Sequence, residues 1–375
     1  MRARGLGLLA LVIALGIVAL QPRPTLVSAE ALLQETPRLE GVNIYFTEAG
    51  GEASRFDRSD AGLSRFAGLL RQLGASLYTL EWRTGFPSDA DLIVVVGPQT
   101  DFAPDQIARL WAYVNNGGKL LLLANPVVES RSSALPATSG LFQLMWADFG
   151  LRAVADYLII DNGVPPEAPA PAEGETPAPV APRIVNRFIS TNLNAQHPIT
   201  SGLQGELAFF GARSLEVDSA IQGFIVTPLA FADAAFYGES DFARFTRDGT
   251  LEFNIGTDTT AGNLAVAGAF DDPRSGARIV LVGDADFARN GTGLQTAPRY
   301  SAGFVYPGNV RFLLNAVTWL VNAESVTLEF PTPGATETPT ITPTQTPTRT
   351  PTGTPTSAAP ESTDEAATPT PTPGA

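Results

Sequence analysis

The chain contains no cysteine. It therefore cannot build a thiolate nucleophile, a disulfide, a Cys-ligated zinc or iron–sulfur site, or a cysteine-borne lipid anchor. Histidine is almost as scarce, since His197 is the only one in 375 residues. A His-rich metal cluster is excluded, and a Ser–His–Asp arrangement would have to pass through that one side chain. Basic residues number 24 against 38 acidic ones, a formal charge of −14. No basic run occurs beyond the N-terminus, so the counterion release that drives nucleic-acid binding has no source, and nucleic acid is set aside as a partner. There is no Gly-x-x-x-x-Gly-Lys phosphate loop. Neither a cofactor nor a metal is expected.

The two ends have their own chemistry. Two arginines in "MRAR" precede residues 5–20, a run of sixteen residues without a charge. That length lies between a signal-peptide core of ~7–15 residues and a membrane span of ~20. Small residues in "LVSAEA" give an acceptable cleavage site after Ala29. Residues 1–29 are read as a signal peptide or membrane anchor, with the basic end retained in the cytoplasm and the remainder exported. Residues 331–375 repeat Pro and Thr with almost no apolar side chains. Such text cannot bury enough surface to offset its ordering entropy and is read as a disordered tail. A shorter Pro-rich stretch, residues 163–182, reads as an insertion in the main domain, residues 38–325.

Between the ends, strand-like and helix-like segments alternate. Residues 41–46, 76–80, 91–97 and 119–124 read as strands, the last two continuously apolar as in a sheet covered on both faces. Leu63, Phe66, Leu70 and Leu73 fall on one helical face, and Ile107, Leu110, Trp111 and Val114 on another, with Pro104 in its first turn and Asn116-Gly117 as its stop. A final helix covers residues 310–320. The β-α-β-β-α-β rhythm predicts a doubly wound, mostly parallel sheet with helices on both faces. "GELAFFG", "QGFIVTPLAF", "GNLAVAGAF" and "ARIVLVGDADF" supply further strands, without saying whether they extend the same sheet.

These segments also resemble a known family. "FDRSDAGLSRFAGLLRQLG", "DADLIVVVGPQTDFAPDQIARLWAYVNNGGKLLLLANP", "AQHPITSGL", "ARIVLVGDADFARN" and "GNVRFLLNAVTWL" occur in the order found in the extracytoplasmic auxiliary domain of ABC-type uncharacterised transport systems, similar to gliding-motility GldG. The resemblance runs from about residue 41 to 323. It implies a fold like the class I glutamine amidotransferases, which is flavodoxin-like, without the enzyme's apparatus. The place comparable to the nucleophile would be Ala124, Asn125 or Pro126, none of them a nucleophile. It also implies an ABC transporter permease, or another envelope protein, as partner. Two departures stand out: Ala103 replaces the serine usual before the second helix, and the Pro/Thr tail stands where GldG-like proteins carry a membrane helix. The second weakens the case for a tight transporter association.

Candidate site residues lie at strand ends, where open α/β sheets bind ligands. Asp284 and Asp286 could do acid–base work or hold a cation. The plainer reading is that Gly283 permits a sharp turn while an aspartate accepts hydrogen bonds from free N–H groups of the next helix. His197, before a proline, is a ligand at the rim or a loop residue whose ring bonds the backbone. Gly97, Gln99, Thr100 and Asn125 would join Asp284 and Asp286 in a shallow polar rim. Asn290-Gly291-Thr292 matches a glycosylation acceptor, which carries little weight in this context. The expected function is a non-catalytic extracytoplasmic binding or scaffolding domain, anchored or secreted. The alternatives are a hydrolase using Asp284, Asp286 and His197, and a cell-surface carbohydrate binder.

Overall fold

Four long strands buried on both faces, at residues 92–96, 119–123, 265–271 and 278–282, set the architecture. In chain order the fold runs β1 (Val27–Ser28), α1 (Ala29–Gln34), β2 (Asn43–Phe46), α2 (Ser64–Gln72), β3 (Ser76–Thr79), β4 (Leu92–Val96), α3 (Pro104–Asn115) and β5 (Lys119–Leu123). It continues through α4 (Gly140–Phe149), β6 (Leu151–Ala153), β7 (Ile160–Asp161), β8 (Arg183–Ile184), β9 (Phe188–Ser190), β10 (Leu207–Phe209), β11 (Leu215–Val217) and β12 (Ile225–Phe231). It closes with α5 (Phe242–Asp248), β13 (Ala265–Asp271), β14 (Arg278–Val282), β15 (Gly303–Phe304) and α6 (Pro307–Val321). The computed structural model describes residues 27–34, 36–126, 135–161, 182–203, 206–260, 262–298 and 303–322. Two compact units divide the chain, Met1–Leu328 and Glu329–Ala375. The second unit, which holds the Pro/Thr-rich tail, lies outside the described residues, as do the apolar run at residues 5–20 and the insertion as far as residue 181.

Among the described residues the main sheet has nine strands in the order β3-β2-β4-β5-β14-β13-β11-β6, with β12 also paired to β13. The segment from β3 to β14 is parallel throughout. Numbered by their own sequence order, those five strands run 2-1-3-4-5. Alternate side chains then divide between two cores, as a two-residue repeat requires. Val94, Val96, Leu121, Leu123, Val280 and Val282 face a core closed by Leu32 of α1, Phe66 and Leu70 of α2, and Leu313 and Val317 of α6. Ile93, Val95, Leu120, Leu122, Ile279 and Leu281 face the other, closed by Ile107, Leu110 and Val114 of α3 and by Phe142 and Met145 of α4. Each fully buried Leu, Ile, Val or Phe contributes about 1.5–3 kcal/mol against exposure, so the doubly covered sheet dominates the stability.

The second half departs from a purely parallel arrangement. β13 is antiparallel to β14, and β12, β11 and β6 extend an antiparallel wing. The cause is the connection. Only residues 272–277 join β13 to β14, closed by Asp272 N–H to the Ala277 carbonyl at 2.9 Å, with the Asp272 carboxylate accepting from Ser275 Oγ at 2.7 Å. A parallel return needs a crossover of about a dozen residues or more, which this turn cannot supply.

Local signals account for the helix ends. Gly74 (φ +102°) and Gly117 (φ +91°) take the left-handed conformation past α2 and α3. Ala103 cannot cap α3 with its side chain, but Gln106 Oε1 accepts its N–H at 2.9 Å, half of a capping box. Asn309 in α6 donates to the Ala208 carbonyl and accepts from its N–H, both at 2.8 Å, which fastens the helix to β10. Residues 27–29 fall within the span read as a leader, and Val27 and Ser28 pair with Phe304 and Gly303. Among the described residues no helix is long and apolar enough to cross a membrane.

Candidate functional site: the strand-end rim

The loops after β4, β5 and β14 meet at one end of the parallel strands. Gly97 ends β4 with φ +65°, and a side chain there would come within 3.1–3.2 Å of Arg289 Nη2, Ala285 Cβ and Asn125 Nδ2. That contact brings Gly97, Asn125 and the Asp284–Arg289 turn together, as the sequence reading expects. Gln99 and Thr100 are exposed one step further along the same loop. Their N–H groups both donate to the Gly50 carbonyl, at 2.9 and 3.1 Å. The loop after β2 thus lies over the end of β4, with Thr47 N–H on Val94 O (3.0 Å) and Ala53 N–H on Val96 O (2.9 Å). Ligands of open α/β sheets bind where the strand order reverses. Here the chain's own residues 47–53 cover that place.

Asp284 is fully buried. Its Oδ1 accepts from Asp286 N–H at 2.8 Å and its Oδ2 from Phe210 N–H at 2.7 Å. Burial, reinforced by Asp286, raises its carboxyl well above the usual range, against the opposing pull of those two N–H bonds and Arg289. The carboxyl thus bridges two backbone segments and is shut off from solvent. Asp286 is partly exposed and accepts from Arg289 Nη1 at 2.6 Å. Tyr157 completes the corner, its hydroxyl pushed up to about 12 by burial and then by Asp284 and Asp286. The turn reading of "GDADF" thus matches the geometry, with two corrections. The following element is a short 3₁₀ turn, Asp286–Ala288, rather than a full helix. Gly283 is needed for close packing rather than a sharp bend, because a Cβ there would lie 2.1 Å from the Arg213 carbonyl oxygen.

His197 is not part of this rim. Its ring meets Trp319 edge-on at 4.9 Å between centroids, and burial, with Asp271 and Arg278 as its charged neighbours, lowers its pKa to about 4. Arg278 begins β14, whereas Asp284 follows its end. Six residues at about 3.3 Å each put roughly 20 Å between the two ends. At that opposite end His197 Nδ1 accepts from Ile199 N–H at 3.2 Å and fixes the turn. Histidine and the two aspartates cannot act on one small substrate. Asn290 is also not available as an acceptor for a glycan: it is buried, its Nδ2 donates to Asp57 O, Ser59 O and Ser64 Oγ, and its Oδ1 accepts from Arg65 N–H. Among the described residues no three His, Asp or Glu side chains gather as a metal would require.

Three residues of the rim were not legible beforehand. Arg213, fully buried, donates to Val154 O (2.5 Å), Leu135 O (2.6 Å) and Asn125 O (3.2 Å), which holds the loop after β5 in place. Burial lowers its pKa to about 10. Glu52, also buried, accepts from Gly50 N–H at 2.5 Å through Oε2 and leaves Oε1 without a protein partner. Arg289 Nε is likewise buried and unpartnered. Only the i,i+3 spacing of Asp286 and Arg289 offered a sequence signal for any of them.

The class is thus a mixed α/β domain with a mostly parallel central sheet and a packed, non-clustered set of strand-end side chains. The chain belongs to the family described as ABC-type uncharacterized transport system, which matches residues 42–316. No curated protein matches. Among solved structures, the N-terminal domain of mmIFT52 is similar at 11% identity and TM-score 0.47, over 75% of this chain and 98% of that one. A ThuA-like protein of Bacteroides uniformis is similar at 12% identity and TM-score 0.40, over 76% and 92%. A second ThuA-like protein, from Parabacteroides merdae, shows 11% identity and TM-score 0.36, over 76% and 91%.

Proposed function

We infer that the protein is a non-catalytic, extracytoplasmic auxiliary domain that uses its strand-end rim to bind a component of an ABC transporter, the permease foremost. The N-terminal segment holds it at the membrane or releases it by cleavage. The fold is of the class I amidotransferase-like, flavodoxin-like kind, supported by the 2-1-3-4-5 order of its parallel strands. One observation carries the binding role. The loops after β4, β5 and β14 converge at one end of the parallel strands and leave Gln99, Thr100 and part of Asp286 open to solvent. A partner's backbone or polar side chain would bond these exposed groups. Catalysis is disfavoured because Asp284 is sealed and His197 sits at the other end.

The test is co-purification from solubilised membranes of the producing cell. A chain with Gln99→Arg and Thr100→Arg, both exposed positions, should keep its melting temperature and lose an ABC permease that the unaltered chain retains. Retention of the permease by that variant would refute the rim as the binding surface.

A further inference from the structure

A concentration of positive charge lies away from the rim. A groove of about 610 Å³ runs along α2, and four of its lining residues are Arg55, Arg58, Arg65 and Arg71, with no carboxylate among the rest. None of the ion pairs among the described residues involves Arg55, Arg58 or Arg71. Arg55 is 8% exposed, donates from Nη2 to Thr79 Oγ1 at 3.3 Å, and leaves its buried Nε without a partner. Glu48, the carboxylate nearest to it in effect, turns Oε1 to Ser54 Oγ and the Arg55 main-chain N–H. Arg55 is buried without a counter-charge, which is costly, and an anion held in the groove between it and the exposed Arg58 and Arg71 would offset that cost. Gly68 opens the groove: a side chain there would meet nothing within 4 Å, although glycine inside a helix costs about 1 kcal/mol relative to alanine.

We propose that this groove binds the phosphodiester headgroups of anionic lipid at the membrane from which the chain emerges. Three observations favour lipid over an acidic protein. Ala29 and Phe304, where the chain enters the fold, are themselves part of the groove wall. Nine chain steps separate residue 20 from Ala29, and extended chain spans at most ~3.6 Å per residue, so this wall of the groove stays within about 32 Å of the run's end. Phe56, 61% exposed and under the Arg55 guanidinium at 3.9 Å, supplies an aromatic edge suited to the headgroup layer. With a chain charge of −14, an anionic bilayer repels the other surfaces and orients this one toward itself. The docking is independent of what the rim binds, although it uses the reading of residues 5–20 as membrane-seeking.

Because the chain has no cysteine, Ala61→Cys gives a single labelling point on an exposed turn beside the groove. The full labelled chain is reconstituted into liposomes of phosphatidylcholine, with or without phosphatidylglycerol, that carry a headgroup spin label. Quenching should appear only with phosphatidylglycerol and fade with salt. The docked-to-undocked ratio should fall about fivefold for each of Arg55→Gln, Arg58→Gln and Arg71→Gln. Gly68→Leu, which fills the groove and leaves the arginines in place, should abolish it. Equal quenching in both liposomes, or quenching unchanged in these variants, overturns the proposal. Thermal stabilisation by glycerol phosphate without any lipid preference would assign the groove to a soluble phosphate ester and overturn the lipid assignment.

Discussion

Replacing Asp284 tests whether the conspicuous aspartate is a structural bridge. Its two oxygens accept one main-chain N–H each, from Asp286 at 2.8 Å and Phe210 at 2.7 Å, in a site with no solvent. Asparagine has one acceptor oxygen, so Asp284→Asn leaves one buried N–H unpaired, at a cost of about 1–3 kcal/mol. Asp284→Ala leaves both, about 2–6 kcal/mol before any cavity is counted. The pH dependence runs in a definite direction. The folded carboxyl is raised well above the ordinary range, so its contribution to stability is fully present below the unfolded value of about 4. Above that pH the unfolded chain releases a proton that the folded chain keeps, and the contribution is lost as pH rises through the folded value. Asparagine does not titrate, so the penalty of Asp284→Asn should be largest near pH 4 and shrink toward pH 8. Urea denaturation at several pH values reads this directly, and thermal melts should move by roughly 2 °C per kcal/mol in a domain of this size. A penalty that is flat across pH, or Asp284→Ala no worse than Asp284→Asn, would refute the bridge.

Other outcomes follow from the same packing. Gly283→Ala drives a methyl to 2.1 Å from the Arg213 carbonyl oxygen and should destabilise by about 3 kcal/mol or more, checked by chemical denaturation. Arg213→Met removes the donor from one buried carbonyl, Leu135, and two part-buried ones, Val154 and Asn125, and should cost about 2–4 kcal/mol, while loosening the loop after β5 as seen by amide hydrogen exchange. His197, the only histidine, should stay neutral down to about pH 4 by NMR titration. Trp319→Ala opens its burial and should move that titration upward. Because its folded pKa is depressed, His197 contributes stability above about pH 6.5 that is lost as pH falls toward pH 4.

The parallel half of the fold is written in the sequence because burial on both faces forces continuous apolar runs, as in residues 92–96 and 119–123. The faces of α2 and α3 were legible for the same reason, since Leu63, Phe66, Leu70 and Leu110 each lie at the helical period and are fully buried. The antiparallel wing was less visible, because its direction is set by a short turn at residues 272–277 rather than by any strand's own pattern. α4 carries its end signals, Ser139 accepting from Phe142 N–H and Gly150 in the left-handed conformation, but no clear helical period. Its text is apolar almost all round and shows little periodicity. The rim was half legible. Strand-end position brings Gly97, Asn125, Asp284 and Asp286 together, but His197 depends on the path of a loop that periodicity does not constrain. Arg213 and Glu52 were hidden because a buried charge is defined by partners far away in sequence.

The most direct measurement is site-specific photo-crosslinking in the producing cell's membranes, with the photoreactive residue at Gln99 on the rim or at Gln196 beside His197, both exposed. An adduct with an ABC permease is expected from Gln99 and none from Gln196. Adducts of equal yield from both positions, or none from Gln99, would contradict it.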